Sequence, residues 1–448
     1  MADCVEKIRL AGLVGMGGAG FPTHVKLAGA IRHIIVNGLE CEPLLGTDRY
    51  AMRHEADKLV SALTEIKAAL AIDRATFCLK KTYADEITAL TAAIESAGAP
   101  VDLHLTESFY PAGDEQVVVY EVTGKTVPPL NIPLAVGCAV MNVGTLLASY
   151  DALRDTPLTH RLLTVTGEVR QPCIFRVPIG TPFADCIVAA GGVTRANCVV
   201  VSGGPMMGKR YEGDELGKLY VGKTTSGILV LPRERYHGAS VDLQQIRRTA
   251  RAACIQCRYC TDLCPRHLLG HPLEPHRIMR KLAYERMEDV LTDPVIQSAA
   301  LCSECGVCEV FACPMGLQPR SVNALLKREL GKAGIRYPKS EVGTTPNPMR
   351  SSRLAPTKRV AARVGVFDYY GTPPDRFHEV EPKRVSLSLR QGIGAPSEAV
   401  VSAGERVSLG QLIAACPEGK LGAALHASIA GVVKSVGESI VLEREDGK

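Results

Sequence analysis

Eight of the sixteen cysteines in this 448-residue chain fall into two short runs. Cys254, Cys257, Cys260 and Cys264 follow a C-x2-C-x2-C-x3-C spacing that ends on Pro265. Cys302, Cys305, Cys308 and Cys313 repeat it before Pro314, with one extra residue ahead of the last cysteine. Three thiolates two residues apart on a tight loop can wrap three corners of an iron-sulfur cubane, and the fourth iron needs a ligand from elsewhere. In two-cluster ferredoxins the fourth cysteine of each run serves the other run's cluster. The spacing therefore predicts one [4Fe-4S] cluster on Cys254, Cys257, Cys260 and Cys313, and a second on Cys302, Cys305, Cys308 and Cys264. Zinc is the competing use of four cysteines, but zinc ribbons set C-x2-C pairs across a long gap and have no use for three consecutive steps and a Cys-Pro. The extra residue, Phe311 or Ala312, should be absorbed by the loop. The remaining cysteines, Cys4, Cys41, Cys78, Cys138, Cys173, Cys186, Cys198 and Cys416, are scattered through mostly apolar stretches and read as small buried hydrophobes.

A second set of chemistry-bearing residues lies near the start. Gly15, Gly17, Gly18 and Gly20, followed by Phe21, precede a candidate helix. Glycines let backbone N–H groups close around a phosphate, although turns without any ligand use them equally. The spacing is not G-x-G-x-x-G, and no acidic residue stands at a clear strand end about 20 positions later, as a dinucleotide fingerprint requires. Lys26, Asn37, the acidic pair Glu40 and Glu42, the run Tyr110–Glu115 with Asp114, and the run Met141–Thr145 with Asn142 add polar loop groups. A nucleotide site or ordinary turns and helix caps would use them alike.

The elements that must hold these residues divide the chain, whose length suggests about three domains. Strand patterns at 33–38, 75–81 and 101–106 alternate with helical patterns at 55–70 and 84–97, which predicts an α/β domain over 1–155. Strand-like LLTVTGEV, CIFRVPIG, VVVSGG and GILVLP around a helix at 183–190 predict a small α+β module over 160–235. The cysteines fall in a helical region, 242–332, with helix patterns at 275–287 and 321–330. Residues 333–385, rich in Pro, Ser, Thr and charge, read as a linker that is partly tied down. Short strands between glycines over 386–448 predict a compact all-β module.

Composition narrows the function. A net charge of +5 with 47 acidic residues interspersed makes no basic stripe, and the chain has no Trp, so nucleic acid is not an expected partner. No apolar run reaches the roughly 20 residues of a bilayer span. The start, with Asp3 and Glu6, lacks the pattern of a secretory signal. A cytoplasmic location is expected, where clustered cysteines bind metal rather than form disulfides.

Several segments resemble a known group. GMGGAGFPTHVKL, VNGLECEP, YPAGDE and MNVGT are similar to the flavin- and NADH-binding segments shared by the 51-kDa flavoprotein subunit of respiratory complex I, the RnfC protein of the Rnf complex and microcompartment cobalamin reductases. VTGEVRQPCIFRVPIGTPFADCI resembles their soluble-ligand-binding β-grasp (SLBB) domain. RnfC proteins place a lipoyl-like barrel-sandwich hybrid before the flavin domain, whereas here the β module follows the cysteines. That order resembles the cobalamin reductases of propanediol-utilization microcompartments. The complex I flavoproteins carry one cluster run, which sets them apart. The fold class implied is multidomain α/β and α+β: a Rossmann-like FMN/NADH domain, an SLBB domain, a helical two-[4Fe-4S] ferredoxin-like domain and a carboxy-terminal barrel-sandwich hybrid.

The resemblance also implies roles. Backbone around Gly15, Gly17, Gly18 and Gly20, with Lys26, would cradle FMN phosphate, and Asn37, Glu40 and Glu42 would border the isoalloxazine and nicotinamide. Phe21 would stack on NADH, Asp114 and Glu115 would lie near the nucleotide, and Asn142 with Thr145 would close the phosphate side. Complex I has an acidic flavin contact where this chain has Leu39. The hairpin Leu425-His426-Ala427-Ser428 lacks the lysine of a lipoyl domain, so no covalent cofactor is expected there.

A flavin accepts a hydride pair and releases single electrons, whereas a [4Fe-4S] cluster carries one at a time. The implied function is NADH-dependent reduction of cob(III)alamin and cob(II)alamin inside a bacterial microcompartment, beside an adenosyltransferase and a shell protein. Three alternatives stand beside it: an RnfC-like protein passing electrons between NADH and ferredoxin, a reductase serving glycyl-radical chemistry without cobalamin, and a flavin-free conduit, for which Leu39 is the hint.

Overall fold

Four parallel strands, His33–Asn37, Arg74–Lys80, Asp102–Thr106 and Cys138–Asn142, carry the amino-terminal unit. Their order in space is 102–106, 74–80, 33–37, 138–142. The chain thus walks outward from the first strand and then returns to its other side. That reversal is the switch point of a Rossmann-like sheet, where a crevice opens beyond the carboxyl ends of the strands. His33–Asn37, Arg74–Lys80 and Cys138–Asn142 are mostly buried because helices, among them Ala56–Ala69, Glu115–Thr123 and Val143–Leu153, pack on the sheet, while the edge strand Asp102–Thr106 alternates polar and apolar residues. The computed structural model describes residues 2–234, 242–285, 290–371 and 374–445. Met1 and residues 235, 286–289, 372–373 and 446–448, which the sequence expectations include, lie outside the described residues.

Helices Ala2–Leu10, Thr47–His54, Glu115–Thr123 and Val143–Leu153, and the strand Cys138–Asn142, are absent from the sequence reading. Three of these helices have fewer than ten residues, too short to show many turns of periodicity, and the strand sits inside a segment whose glycines and polar groups mark it as loop.

The second unit is a six-stranded sheet in the order 377–379, 173–178, 160–167, 227–232, 198–202, 209–211. Its edge strand Phe377–Glu379 belongs to the segment read as a linker and pairs in parallel with Cys173–Pro178. The same segment supplies the helix Thr357–Arg363, and Ala355–Pro356 pairs with Phe109–Tyr110. Residues 333–385 are therefore folded onto both earlier units. Val360, Ala361, Val364 and Val366 bury themselves in a core shared with Tyr110, Val199 and Leu229, which polar flanking residues conceal in the sequence.

Helices Leu243–Ala253, Pro275–Tyr284 and Pro319–Lys332 hold the cysteine loops. The extra residue before Cys313 is not taken up by an irregular loop: Val307–Ala312 forms a π-helical turn, the usual outcome of inserting one residue into a helical turn. Two small antiparallel sheets make the carboxy-terminal module, 384–388, 439–443, 431–436 and 406–407 in one and 398–399, 412–415 and 425–426 in the other. Its Val385, Leu387 and Ile413 share a continuous core with Leu13, Ile34 and Leu63 of the first unit.

Candidate flavin crevice and cysteine cradles

The glycine-rich loop lies against the amino terminus of the helix Val143–Leu153. Gly15 N donates to Phe21 O at 2.8 Å and Met16 N to Thr145 Oγ1 at 2.9 Å, while Gly17 and Gly18, with no side chains, are exposed. A Cβ on Gly17 would stand 2.9 Å from Asn142 Cβ, so no side chain fits there. Asn142 caps the helix, its Oδ1 accepting from Gly144 N at 2.9 Å, and its Nδ2 donates to Asp48 Oδ2 at 2.5 Å. Bare backbone beside a helix amino terminus at a sheet switch point is a cradle for an anionic phosphate, and it fits FMN.

Around it the expected residues separate. Asn37, at the end of its strand, donates to Gly113 O at 2.9 Å and holds the Tyr110–Glu115 loop against the crevice. Lys26 is engaged, bonding Glu115 at 2.7 Å and Val140 O at 2.9 Å. Asp114 caps the helix Glu115–Thr123 and pairs with Arg266 of the cysteine unit at 2.8 Å, so its carboxylate joins two units. Leu39 is fully buried with Ile35, Cys78 and Phe109, which leaves Glu40 and Glu42 as the acidic groups of its run.

Glu40 and Glu42 line a cavity of about 410 Å³ with Arg49, Lys80, Tyr83, Tyr369 and Tyr370. Burial, with Asp48 adding to it, pushes Glu40 up to about 8. Burial pushes Glu42 up to about 7 although Met206 N and Met207 N both donate to it at 2.9 Å. Asp48 is raised to about 6 by burial, against the pull of Arg161, which burial lowers to about 10. Carboxyls held near neutrality in a cleft can exchange protons at working pH. Asp48, Lys80 and Arg161 are missed in the sequence reading; for Arg161 the available signal is a lone permanent charge in the strand His160–Gly167.

The two cysteine loops adopt the same backbone. In each, the residues flanking the middle cysteine are left-handed: Gln256 at φ 58° and Arg258 at 65°, Glu304 at 58° and Gly306 at 83°. Three of these four are not glycine, so the conformation is held at a cost that a ligand site warrants, and it turns backbone N–H groups inward. Cys264, Cys302, Cys305 and Cys308 line one cavity with Asn323 and Arg320. Burial raises Cys308 well above its ordinary value, with Cys302, Cys305 and Cys264 adding to it. Burial likewise pushes Cys260 up to about 12, with Cys313, Cys257 and Cys254 as its charged neighbours. Each fourth cysteine thus stands with the other run. Four thiols from two runs suit a cubane, whose irons at separate corners each take one sulfur.

The two cradles differ in setting. Tyr110, 2% exposed, donates to Cys305 O at 2.7 Å, and in the inner set Cys264, Cys305 and Cys308 are buried and Cys302 is half-buried. In the outer set Cys257 is exposed, between Ile255 at 61% and Tyr259 at 52%.

The family comparisons follow this order of parts. Residues 8–151 match the Nuo51 FMN-binding domain, 162–210 the SLBB domain, 253–318 the 4Fe-4S dicluster domain and 378–446 the RnfC barrel sandwich hybrid domain. Over 440 residues the chain is 40% identical to the cobalamin reductase PduS of Salmonella typhimurium, covering 97% of this chain and 95% of that one. The chain belongs to the PduS cobalamin reductase family. The PduS of Citrobacter freundii is equally similar, 40% over 97% of this chain and 95% of that protein. The RnfC-type component of the Na(+)-translocating ferredoxin:NAD(+) oxidoreductase complex of Acetobacterium woodii is 34% identical over 60% of this chain and 59% of its own. The protein is a multidomain oxidoreductase with an FMN-binding domain, an SLBB domain, a 4Fe-4S dicluster domain and a barrel-sandwich module. No helix among the described residues is long and apolar enough to cross a membrane.

Proposed function

We propose that the protein is an NADH-dependent cobalamin reductase that reduces cob(III)alamin and cob(II)alamin in a bacterial microcompartment, alongside an adenosyltransferase and a shell protein. The observation that carries this reading is full-length similarity to PduS proteins, with the β module after the cysteines. When bound, FMN supplies the conversion of a hydride pair into single electrons and the cubane clusters their one-at-a-time transport.

The chain's own residues prepare the site. Gly15, Gly17, Gly18 and Gly20 with Asn142 and Thr145 hold the FMN phosphate, and Asn37 fixes the loop that borders the ring. Glu40 and Glu42 face the cavity where the nicotinamide would enter and stand ready to take or give a proton. Cys264, Cys302, Cys305 and Cys308 hold the cluster on the flavin side, where Tyr110 joins the two units. Cys254, Cys257, Cys260 and Cys313 hold the cluster on the acceptor side.

Similarity to the Acetobacterium protein supports a second reading, electron exchange between NADH and ferredoxin. Anaerobically purified protein is the test. NADH-driven appearance of cob(II)alamin absorbance is expected; bound FMN with reduction of ferredoxin and none of cobalamin would replace the first reading with the second.

A further inference from the structure

Helix Pro319–Lys332 turns one face to the inner cysteines. Arg320, Asn323 and Lys327 share it, three and four residues apart. Arg320 and Asn323 line the cavity of Cys264, Cys302, Cys305 and Cys308. Two of the three have protein partners: Arg320 donates to Met206 O at 2.6 Å, and Lys327 to Cys302 O at 3.0 Å and Glu304 at 2.7 Å.

Asn323 has none. It is fully buried, and both its Nδ2 and Oδ1 lie out of solvent with no nitrogen or oxygen to bond. Among the described residues it is the side chain with two such atoms, where the others have one each. Buried amides are nearly always bonded, so this one awaits a partner that belongs in the cavity. The Cys302 sulfur stands within the amide's hydrogen-bonding reach, and Asn323 lines the cavity together with that cysteine.

We propose that the Asn323 side-chain amide donates a hydrogen bond to sulfur of the [4Fe-4S] cluster held by Cys264, Cys302, Cys305 and Cys308, and thereby sets that cluster's potential above what its thiolates alone would give. The proposal rests on the reading that this cysteine set holds a cluster. Reduction adds one electron to an already anionic group, and a donor to its sulfur stabilises the reduced form more than the oxidised one. Asn323 is a positioning residue for electron affinity and exchanges no proton or electron itself.

An anaerobic redox titration of the holoprotein, followed by electron paramagnetic resonance, tests it. In Asn323→Leu, close in shape but without the donor, one of two one-electron transitions should become about tenfold harder to reduce, a shift of about 59 mV to lower potential, while the other stays in place. Two unmoved transitions with native iron and sulfide content would overturn the role of Asn323 and leave the clusters standing. Native protein without cubane signals would overturn the cluster reading itself. Should the variant fail to assemble, the native sequence carrying asparagine with side-chain ¹⁵N answers the same question. Hyperfine coupling of that nitrogen to a reduced cluster is expected, and its absence overturns the proposal.

Discussion

Cys264 and Cys313 are each separated in sequence from the three cysteines they stand beside. If the crossed pairing holds, Cys257→Ala and Cys313→Ala should abolish the same paramagnetic signal, and Cys305→Ala and Cys264→Ala the other, with FMN retained in all four. Signals grouping by sequence run would refute the crossing. Glu40 offers a pH test. Its carboxyl is raised from an ordinary 4.5 to about 8, so the folded state keeps a proton that the unfolded chain releases. Stability should fall as pH rises from about 5 to 8, by at most about 1.4 kcal/mol per pH unit. Glu40→Gln should flatten that slope in denaturation of the flavin-free protein at pH 5, 6.5 and 8. At this scale the sequence was legible where spacing encodes chemistry, as in the cysteines. Asp48, Arg161 and Asn323 were not, because a single polar residue reveals its role only after tertiary folding buries it.

At the scale of elements, long amphipathic helices and apolar strands announce themselves: the patterns at 55–70 and 84–97 match Ala56–Ala69 and Ala84–Ala97 closely. The helix Val143–Leu153 does not, since its start is a polar loop motif that Asn142 caps. Asn142→Ala should cost about 1 kcal/mol of stability through the lost cap and should also weaken FMN binding. Thermal unfolding with and without FMN separates the two; equal destabilisation in both would deny Asn142 a part in the cradle. The π-helical turn before Cys313 was visible as one surplus residue, but its form depends on hydrogen bonding that no spacing rule states.

Across the whole molecule, the units are fastened by single buried groups. Lys223, fully buried in the turn before the strand Gly227–Pro232, donates to Gly12 O at 2.7 Å and Ala424 O at 2.5 Å, so one side-chain nitrogen holds the flavin unit and the β module. Lys223→Met leaves two carbonyls without a donor and should lower unfolding free energy by about 2 kcal/mol, with earlier proteolysis of the β module and unchanged iron content. The module order was readable from the chain; its docking was not. The β module covers the glycine-rich loop through Ile393 N, which donates to Ala19 O at 3.0 Å, and through Gly392, which lies so near Gly20 that a Cβ there would be 2.7 Å away.

The exposed Cys257 loop gives the molecule a weathering side. Air should corrode the pair of cubanes from the surface inward, sparing for a time the one walled in behind Tyr110. Briefly aerated samples would then carry about half their iron and sulfide, still take electrons from reduced nicotinamide, and pass none onward.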